Sequence, residues 1–393
     1  MIDEANKLMD LTWSHAEDAF RSEARSWLEA NLAAWRAAHD GVIPSGDTAA
    51  GFAMHLEWER MLFDAHWAVV SWPEEHGGRD ASLWEWLIFE EEYYRAGGPP
   101  RVTQNGIFLL APTVFAFGAA AQQAHILARM ARGEDRWCQG WSEPNAGSDL
   151  ASLSCRASRI DGGWVLDGQK TWTTRGAFCS HLFGLFRSDP DSERHRGLTY
   201  LLVPLDIDGV TVRGFGRLDG DEGFAEVFFD DAFLADDALP GGVVLGEVDQ
   251  GWSVAMATTS SERGLTLRSP GRFMATADRL VDLWQMGAGE GLDDRVVRCW
   301  MAAEAYRLHT LQTVTGSVEG RPAGAETSLT KIWWSELDVA LHETALDLLG
   351  VEAELEGDWS KGWQFSLSGP IYAGTNEIQR NIAAERVLGL PRR

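Results

Sequence analysis

The hydrophobic pattern changes character twice along the chain, and this limits the folds that the chain can adopt. Apolar residues recur at helical spacing up to about Gly133 and again after about Gly246. Between these points, short apolar runs alternate with turns rich in Gly and Asp, which is typical of short strands. At 393 residues the chain is also too long for one simple core, so two or three domains are expected.

The pattern predicts a mainly α protein with a central β domain. We expect an N-terminal helical domain over residues 1–133, a central domain over residues 134–245 and a C-terminal helical bundle over residues 246–393. The short strands of the central part favour a small antiparallel β-barrel or sandwich.

Several elements can be predicted one by one. Ser14 and Glu17 form the pattern of a capping box at the start of the first long helix. We expect the polar stretch 350–362 to be a loop. Further helices are predicted at 83–96, 122–132, 294–314, 329–349 and 378–387, and strands at 155–160, 164–166, 181–187, 198–205, 210–213 and 225–229.

Composition excludes several classes of protein. The formal net charge of −25 argues against nucleic acid or an anionic membrane as the main partner. The four cysteines form no CxxC pair, so neither a zinc site nor any other metal site is predicted, and free thiols favour a reducing, cytoplasmic location. No signal peptide and no membrane-spanning stretch is expected.

The common enzyme motifs are missing from the sequence. Gly214, Gly216 and Gly220 come nearest to a dinucleotide-binding GxGxxG pattern, but their spacing is wrong. No P-loop, HExxH or GxSxG motif occurs. The pattern therefore favours neither a Rossmann enzyme, a zinc peptidase nor a serine hydrolase.

Three stretches carry groups suited to binding a flavin or a phosphate. Residues 140–149 (GWSEPNAGSD) form a loop rich in Gly and hydroxyl groups, which can offer backbone N–H and Ser O–H donors. Residues 168–174 (GQKTWTT) place a large aromatic ring beside hydroxyls. Residues 371–379 (IYAGTNEIQ) form a Gly-containing turn before a short helix whose start can face an anion.

The order and spacing of these stretches, together with the ending RNIAAERVLGLP, closely resemble the acyl-CoA dehydrogenase family over residues 72–391. The resemblance implies a helical N-domain, a central β domain, a C-terminal four-helix bundle and bound FAD. It also implies an acyl-CoA substrate and an external acceptor such as electron-transfer flavoprotein. We expect a homotetramer, or a heterotetramer with a related chain.

The family pattern assigns roles to individual residues. Thr174 matches the position that hydrogen-bonds the hydride-accepting nitrogen of the flavin, and Arg263, Ala373 and Gly374 match positions near the acyl-CoA. The residues that the pattern places around FAD are Gln139, Trp141, Ser142, Ser148, Trp172, Thr173, Thr174, Thr375 and Glu377.

The reaction needs a carboxylate that removes the α-proton of the thioester. Many family members carry this glutamate just before the Gly-Thr of the C-terminal turn, where this sequence has Ala373. A second solution, similar to that of isovaleryl-CoA dehydrogenase, places the glutamate directly before an arginine on a helix. Glu262, followed by Arg263, stands there, so Glu262 is the candidate catalytic base.

The sequence departs from the family at two places that concern the adenosine half of FAD. The family's pattern after Arg272 is replaced by residues 287–291 (GAGEG), and the paired glycines expected after Leu349 are replaced by Gly350-Val351-Glu352. Arg175 also stands where the family usually has a small or amide residue.

These departures leave two alternatives to a complete dehydrogenase open. One is a non-catalytic or half-site subunit of a heteromeric enzyme, which would need a second chain. The other is a flavin monooxygenase on the same fold, which needs no base for the α-proton.

Overall fold

The computed structural model describes residues 11–262, 269–287, 291–321 and 324–391. Its N-terminal part is helical, as the periodicity predicts. The helices are α1 (His15–Ala38), α2 (Ala49–Asp64), α3 (Leu83–Arg95), α4 (Ala111–Phe117) and α5 (Ala120–Ala131), with a π-helical segment, Asn105–Leu110, directly before α4.

Helix α1 begins where the capping box predicts. The Glu17 amide donates to Ser14 Oγ at 3.2 Å, and the Ser14 amide donates to the Glu17 carboxylate at 2.7 Å. Helix α1 packs on α3. Between them, tryptophans form a ring cluster in which Trp58 lies 5.6 Å from Trp27 and 5.5 Å from Trp35. The Trp58 indole donates to the Tyr93 hydroxyl at 3.0 Å, whereas the buried indole nitrogen of Trp35 has no hydrogen-bond partner among the described residues.

The central part is one curled sheet of seven strands. They are β1 (Trp137–Gly140), β2 (Arg156–Ile160), β3 (Gly163–Thr174), β4 (His181–Arg187), β5 (Leu198–Pro204), β6 (Val210–Phe215) and β7 (Phe224–Ala235). The order is β1-β4-β2-β3-β7-β6, and β5 pairs with β4. Most pairings are antiparallel, but β1 runs parallel to β4, with Gln139 opposite Phe183.

The C-terminal part is helical again. It contains α6 (Gly251–Glu262), α7 (Pro270–Gln285), α8 (Asp293–Val318), α9 (Thr327–Leu349), α10 (Asp358–Ser366) and α11 (Asn376–Ile382). Helices α7, α8 and α9 pack on one another, while α6 packs on β5 and α4. The predicted fold class, a mainly α protein with a central β domain, is thus confirmed.

The prediction was wrong at one element. Residues 350–362 are not all loop, because a 3₁₀ turn covers Gly350–Glu354 and α10 begins at Asp358. Helix α10 has only nine residues, so its apolar contacts with α9 decide its structure, and these cannot be inferred from local spacing.

Two features are not found among the described residues. None of the described helices combines the length and the apolar character that a membrane span requires. No group of three or more His, Cys, Asp or Glu side chains within the described ranges is placed to hold a metal ion.

A broad apolar groove lies on the outer face of α8 and α9. It has a volume of about 500 Å³, and its lining includes Ala302, Leu329 and Trp333. Leu329 is 47% exposed. Exposed apolar surfaces of this kind commonly mark contacts between chains.

We therefore predict that this face is covered by another subunit. Leu329→Glu places a charge in the groove without disturbing the core, so light scattering should show a smaller species than the wild-type oligomer. Val351→Glu, at a site that is 83% exposed on the turn after α9, is the matched control and should leave the mass unchanged. A wild-type protein that is monomeric at micromolar concentration, with bound flavin and full activity, would contradict the prediction.

Candidate active site

One buried ion pair fixes the loop 140–149 on the sheet. The Lys170 ammonium lies 2.8 Å from the Glu143 carboxylate, and the two side chains are 0% and 6% exposed. Lys170 also donates to the Leu185 carbonyl at 2.7 Å. Glu143 accepts from the amides of Ser154 and Cys155, at 2.7 and 2.9 Å. Nearly all the hydrogen-bonding capacity of both groups is therefore used inside the protein.

The surroundings of Glu143 favour its charged form. Burial alone would raise the pKa of its carboxyl, but the Lys170 ammonium and the amides of Ser154 and Cys155 outweigh burial and hold the pKa below its usual range. The motifs of the sequence assign neither residue a role. The available signal was the opposite charge of Glu143 and Lys170, each within a motif of mostly uncharged residues.

The pair brings the loop alongside β3. The Thr171 amide donates to the Ser142 carbonyl at 2.9 Å, so Trp141 and Ser142 lie next to the strand that carries Trp172 and Thr174. Glu143 and Ala146 exchange two backbone hydrogen bonds, which close the tip of the loop. Ser148 is exposed beyond that tip, and Gln139 is half-buried on β1.

A bulge in β3 turns Trp172 outward. The register between β3 and β7 shifts between Lys170 and Thr173, and Trp172 has a left-handed φ of 58°. A bulge commonly re-aims a side chain next to an active site. Trp172 is 61% exposed, and its ring lies nearly perpendicular to the rings of Phe215 and Phe224, at centroid distances of 5.2 and 5.6 Å. The result is an exposed aromatic surface held by two neighbouring rings.

The two threonines after Trp172 differ in exposure. Thr174 is half-buried, whereas the side chain of Thr173 is fully buried. The Thr173 hydroxyl and the Trp141 indole nitrogen are both buried and have no hydrogen-bond partner among the described residues. Such groups are costly unless a ligand or water pairs them.

A second charged network holds the end of β3. Asp47, from the loop between α1 and α2, accepts from Arg175 and Arg217, each at 2.6 Å. Burial tends to raise the pKa of Asp47, but the two guanidinium groups together keep it below its usual range. Arg175 has a left-handed φ of 54°, and its engagement with Asp47 explains why a large residue is accommodated directly after Thr174.

The C-terminal turn is anchored on α9. Asn376 is buried and accepts from the Lys331 ammonium at 2.7 Å and from the Ser335 hydroxyl at 3.1 Å. Gln379 donates to the Ala373 carbonyl at 2.9 Å, and Thr375 caps α11 by accepting from the Ile378 amide. Glu377, in contrast, is exposed.

The turn has an unusual backbone. Ala373 and Gly374 are both left-handed, with φ of 56° and 76°. A non-glycine residue is rarely held in this region unless the surrounding structure requires it. The left-handed backbone fixes the orientation of the Ala373 and Gly374 amides. The hydrogen bonds of Asn376 and Gln379 hold the turn in this conformation.

The structure brings some of the predicted residues together and not others. Trp141, Ser142, Trp172 and Thr174 share one region. The hydrogen bonds of Thr375 and its neighbours go to α9 and to the turn itself, while Glu262 ends α6. The side chain of Glu262 and the whole of Arg263 lie outside the described residues, so their positions near the acyl-CoA stay predictions.

Three family models match the chain in succession. The acyl-CoA dehydrogenase N-terminal domain matches residues 14–134, the middle domain residues 138–232 and the C-terminal domain residues 249–388. The chain belongs to the acyl-CoA dehydrogenase family. The family is FAD-dependent, and the chain is accordingly an FAD-dependent oxidoreductase that acts on CH–CH groups.

Individual relatives agree with this assignment. The chain is 39% identical over 384 residues to acyl-CoA dehydrogenase IpdE1 of Mycobacterium tuberculosis, covering 95% of this chain and 98% of that protein. It is 27% identical over 328 residues to the mouse mitochondrial short-chain specific acyl-CoA dehydrogenase, covering 80% and 78%. The ChsE4-ChsE5 complex from M. tuberculosis superimposes with a TM-score of 0.81 at 26% identity, covering 98% and 100%.

The residues of this acyl-CoA dehydrogenase fit the flavin half of FAD. The Trp172 ring offers a stacking surface. The buried, unpaired Thr173 hydroxyl and Trp141 indole nitrogen lie in the same region, and a flavin edge carries both donors and acceptors. Trp172, Thr174 and Ser142 would hold the ring, which supplies the hydride acceptor when FAD is bound.

We predict that the purified protein is yellow and releases FAD on heating. Trp172→Ala should weaken FAD binding about three- to tenfold, because one stacking contact is lost. The dissociation constant can be measured by fluorescence titration of the apoprotein. Phe233→Ala removes another exposed aromatic side chain of the same sheet and should leave it unchanged. A protein that stays colourless with excess FAD and any co-expressed partner would refute the prediction.

The Glu143–Lys170 pair leads to a prediction about stability. Glu143→Gln leaves a buried ammonium uncompensated and should lower the free energy of unfolding at neutral pH by about 3–5 kcal/mol. Because the pKa of Glu143 is lowered in the folded state, its contribution is fully present above the ordinary carboxyl pKa of about 4.3 and is lost as pH falls through the folded value.

Chemical denaturation at several pH values measures this effect. The difference in the free energy of unfolding between wild type and Glu143→Gln should therefore become smaller in acid. The double variant Glu143→Met/Lys170→Met should lose less than Glu143→Gln alone, since no charge is then left unpaired. A single variant as stable as wild type at neutral pH would show that the pair is not structural.

Proposed function

We propose that this chain catalyses the α,β-dehydrogenation of an acyl-CoA thioester to the 2-enoyl-CoA, with Glu262 as the base. The observation that carries the proposal is the Trp172 surface beside Thr174, positioned by the bulge and by the Glu143–Lys170 pair. Trp172, Thr174 and Ser142 would hold the flavin there, and it would supply the acceptor for the hydride of the β-carbon. An external acceptor such as electron-transfer flavoprotein would then take up the electrons.

Two sequence positions, at which family members carry the catalytic base, decide the choice of Glu262. Ala373 carries no carboxylate, which removes the commoner position. Helix α6 ends at Glu262, directly before Arg263, and α6 packs on α4 and β5 at the junction of the N-terminal and central parts. A glutamate there can take the α-proton if its surroundings bring its pKa toward the working pH.

The C-terminal turn supplies the complementary group. Loss of the α-proton places negative charge on the thioester oxygen, and fixed N–H donors stabilise such charge. The left-handed Ala373 and Gly374 present their amides on a turn that Asn376 and Gln379 hold in place. Alanine at position 373 therefore still provides the donor although it cannot provide the base.

A specific observation favours assembly with a related chain. The sequence lacks the family's adenosine pattern after Arg272, and the Arg272 guanidinium itself is engaged by the buried Asp338 at 2.7 Å. The ChsE4-ChsE5 complex, a structural relative of this chain, is by its name an assembly of two proteins. We propose a heterotetramer in which a second chain completes the adenosine half of the FAD site.

Glu262→Gln tests the assignment of the base. The amide keeps the shape of the side chain but cannot accept the proton, so the rate of flavin reduction by a good acyl-CoA should fall at least about 10²–10⁴-fold. FAD content and acyl-CoA affinity should stay close to wild type. The measurement is anaerobic stopped-flow bleaching of the flavin in the complete, partner-containing enzyme.

The matched control is Glu247→Gln, which alters an exposed glutamate just ahead of α6 and should reduce its flavin at the wild-type rate. A Glu262→Gln enzyme that reduces its flavin at a near wild-type rate would refute this assignment.

A further inference from the structure

An apolar cavity of about 240 Å³ lies inside the N-terminal part of the fold. Its walls come from α3, from the chain after α2 and from the π-helical segment and α4. Five aromatic side chains line it: Trp72, Trp86, Phe89, Phe108 and Phe115. Flat walls of this kind suit a ring or an alkyl chain.

One side chain does not match this lining. Glu90 is the only ionisable residue among those that line the cavity, and it is 5% exposed. It hydrogen-bonds to the Ser269 side chain, and the Arg101 guanidinium acts on it without forming an ion pair. Arg101 is already engaged by the Ala68 carbonyl at 2.9 Å and lies 3.6 Å from Glu59. Among the described residues, Glu90 therefore has one neutral hydrogen-bond partner and no ion pair.

The carboxyl of Glu90 is partly protonated near neutral pH. Burial raises its pKa to about 7, although Arg101 and the Ser269 hydrogen bond act in the opposite direction. A protonated carboxyl donates one hydrogen bond and can accept others, so capacity remains beyond the bond to Ser269. An entirely apolar ligand would leave that capacity unused, which is unfavourable in a buried site.

The location connects the cavity with the proposed chemistry. Ser269 caps the start of α7, which follows the segment that begins after Glu262. Helix α7 packs closely on α3, since a Cβ added to Gly271 would lie 2.7 Å from the Glu90 carbonyl oxygen. The Glu90 carboxyl therefore lies where the N-terminal helices meet the helix after the proposed base.

We propose that Glu90 selects acyl groups that carry a neutral oxygen function, a hydroxyl or a ketone, on the part distant from the thioester. This rests on the proposed function and specifies its substrate class. The aromatic walls enclose the carbon skeleton, and the Glu90 carboxyl hydrogen-bonds the oxygen. A carboxylate on the acyl group is disfavoured because it would face a second, partly ionised carboxyl.

Matched substrates test this directly. The probes are 3-cyclohexylpropanoyl-CoA and its 4-oxo and 4-carboxy ring derivatives, given to the complete FAD-loaded enzyme. The wild type should prefer the 4-oxo compound by at least about tenfold in kcat/KM, because a site built to bind an oxygen rejects the analogue that lacks it. In Glu90→Leu, kcat/KM should fall about ten- to a hundredfold for the 4-oxo compound and change little for 3-cyclohexylpropanoyl-CoA.

Two further variants separate recognition from structure. Glu90→Gln keeps a donor and an acceptor and should retain most of the preference. Ser269→Ala removes the hydrogen bond to Glu90 together with the side-chain cap of α7, so stability can fall while the ratio of kcat/KM between the two substrates survives.

The outcomes that would overturn the proposal do not depend on catalysis. If none of the compounds bleaches the flavin, the proposed function is wrong. Calorimetry still gives the ratio of their affinities in that case, so the role of Glu90 can be tested separately. A wild type without preference for the 4-oxo compound overturns the role of Glu90, as does preference for the 4-carboxy compound. A Glu90→Leu enzyme that keeps the wild-type preference for the 4-oxo compound over 3-cyclohexylpropanoyl-CoA also overturns it.

Discussion

The arrangement of the residues predicted to hold the flavin depends on the buried contact between Glu143 and Lys170. An isolated charge in that position would be costly, so each residue requires the other. Lys170 is part of β3 and Glu143 of the preceding loop, and their contact aligns the loop with the strand just ahead of the bulge at Trp172. The aromatic surface, the Thr174 side chain and the Ser142 backbone are thereby placed by one interaction that takes no part in the chemistry.

The Asp47 network secures the C-terminal end of the same strand. Asp47 comes from the loop between α1 and α2, and Arg175 and Arg217 come from the turns that follow β3 and β6. Arg217 also lies 5.1 Å from the Phe365 ring of α10. Three parts of the fold thus meet directly after Thr174, and the unusual Arg175 is accommodated because its charge is compensated there. The strand is thus held by ion pairs on both sides of Trp172, as a preorganised catalytic surface requires.

Local pattern predicted much of the fold and part of the site. The capping box at Ser14, the hairpin predicted over residues 155–166 and the strand His181–Arg187 follow from spacing and turn residues, although the second strand of the hairpin continues to Thr174. The parallel pairing of β1 with β4 and the short helix α10 do not, because both depend on partners distant in sequence. Trp172 was identified from its motif, but its outward orientation depends on a bulge opposite β7. Nothing in the local sequence distinguishes Glu90 from other helix glutamates, because only the tertiary structure brings the cavity walls around it.

We propose that this acyl-CoA dehydrogenase removes one hydrogen from each of two adjacent carbons. The most direct test is the mass of the product formed from an accepted acyl-CoA that carries deuterium at both the α- and the β-carbon, incubated with the FAD-loaded enzyme and an electron acceptor. The expected product is an enoyl-CoA that has lost one α- and one β-deuterium. A product that has gained an oxygen atom and retains its α-deuterium would instead indicate a monooxygenase and rule out α,β-dehydrogenation.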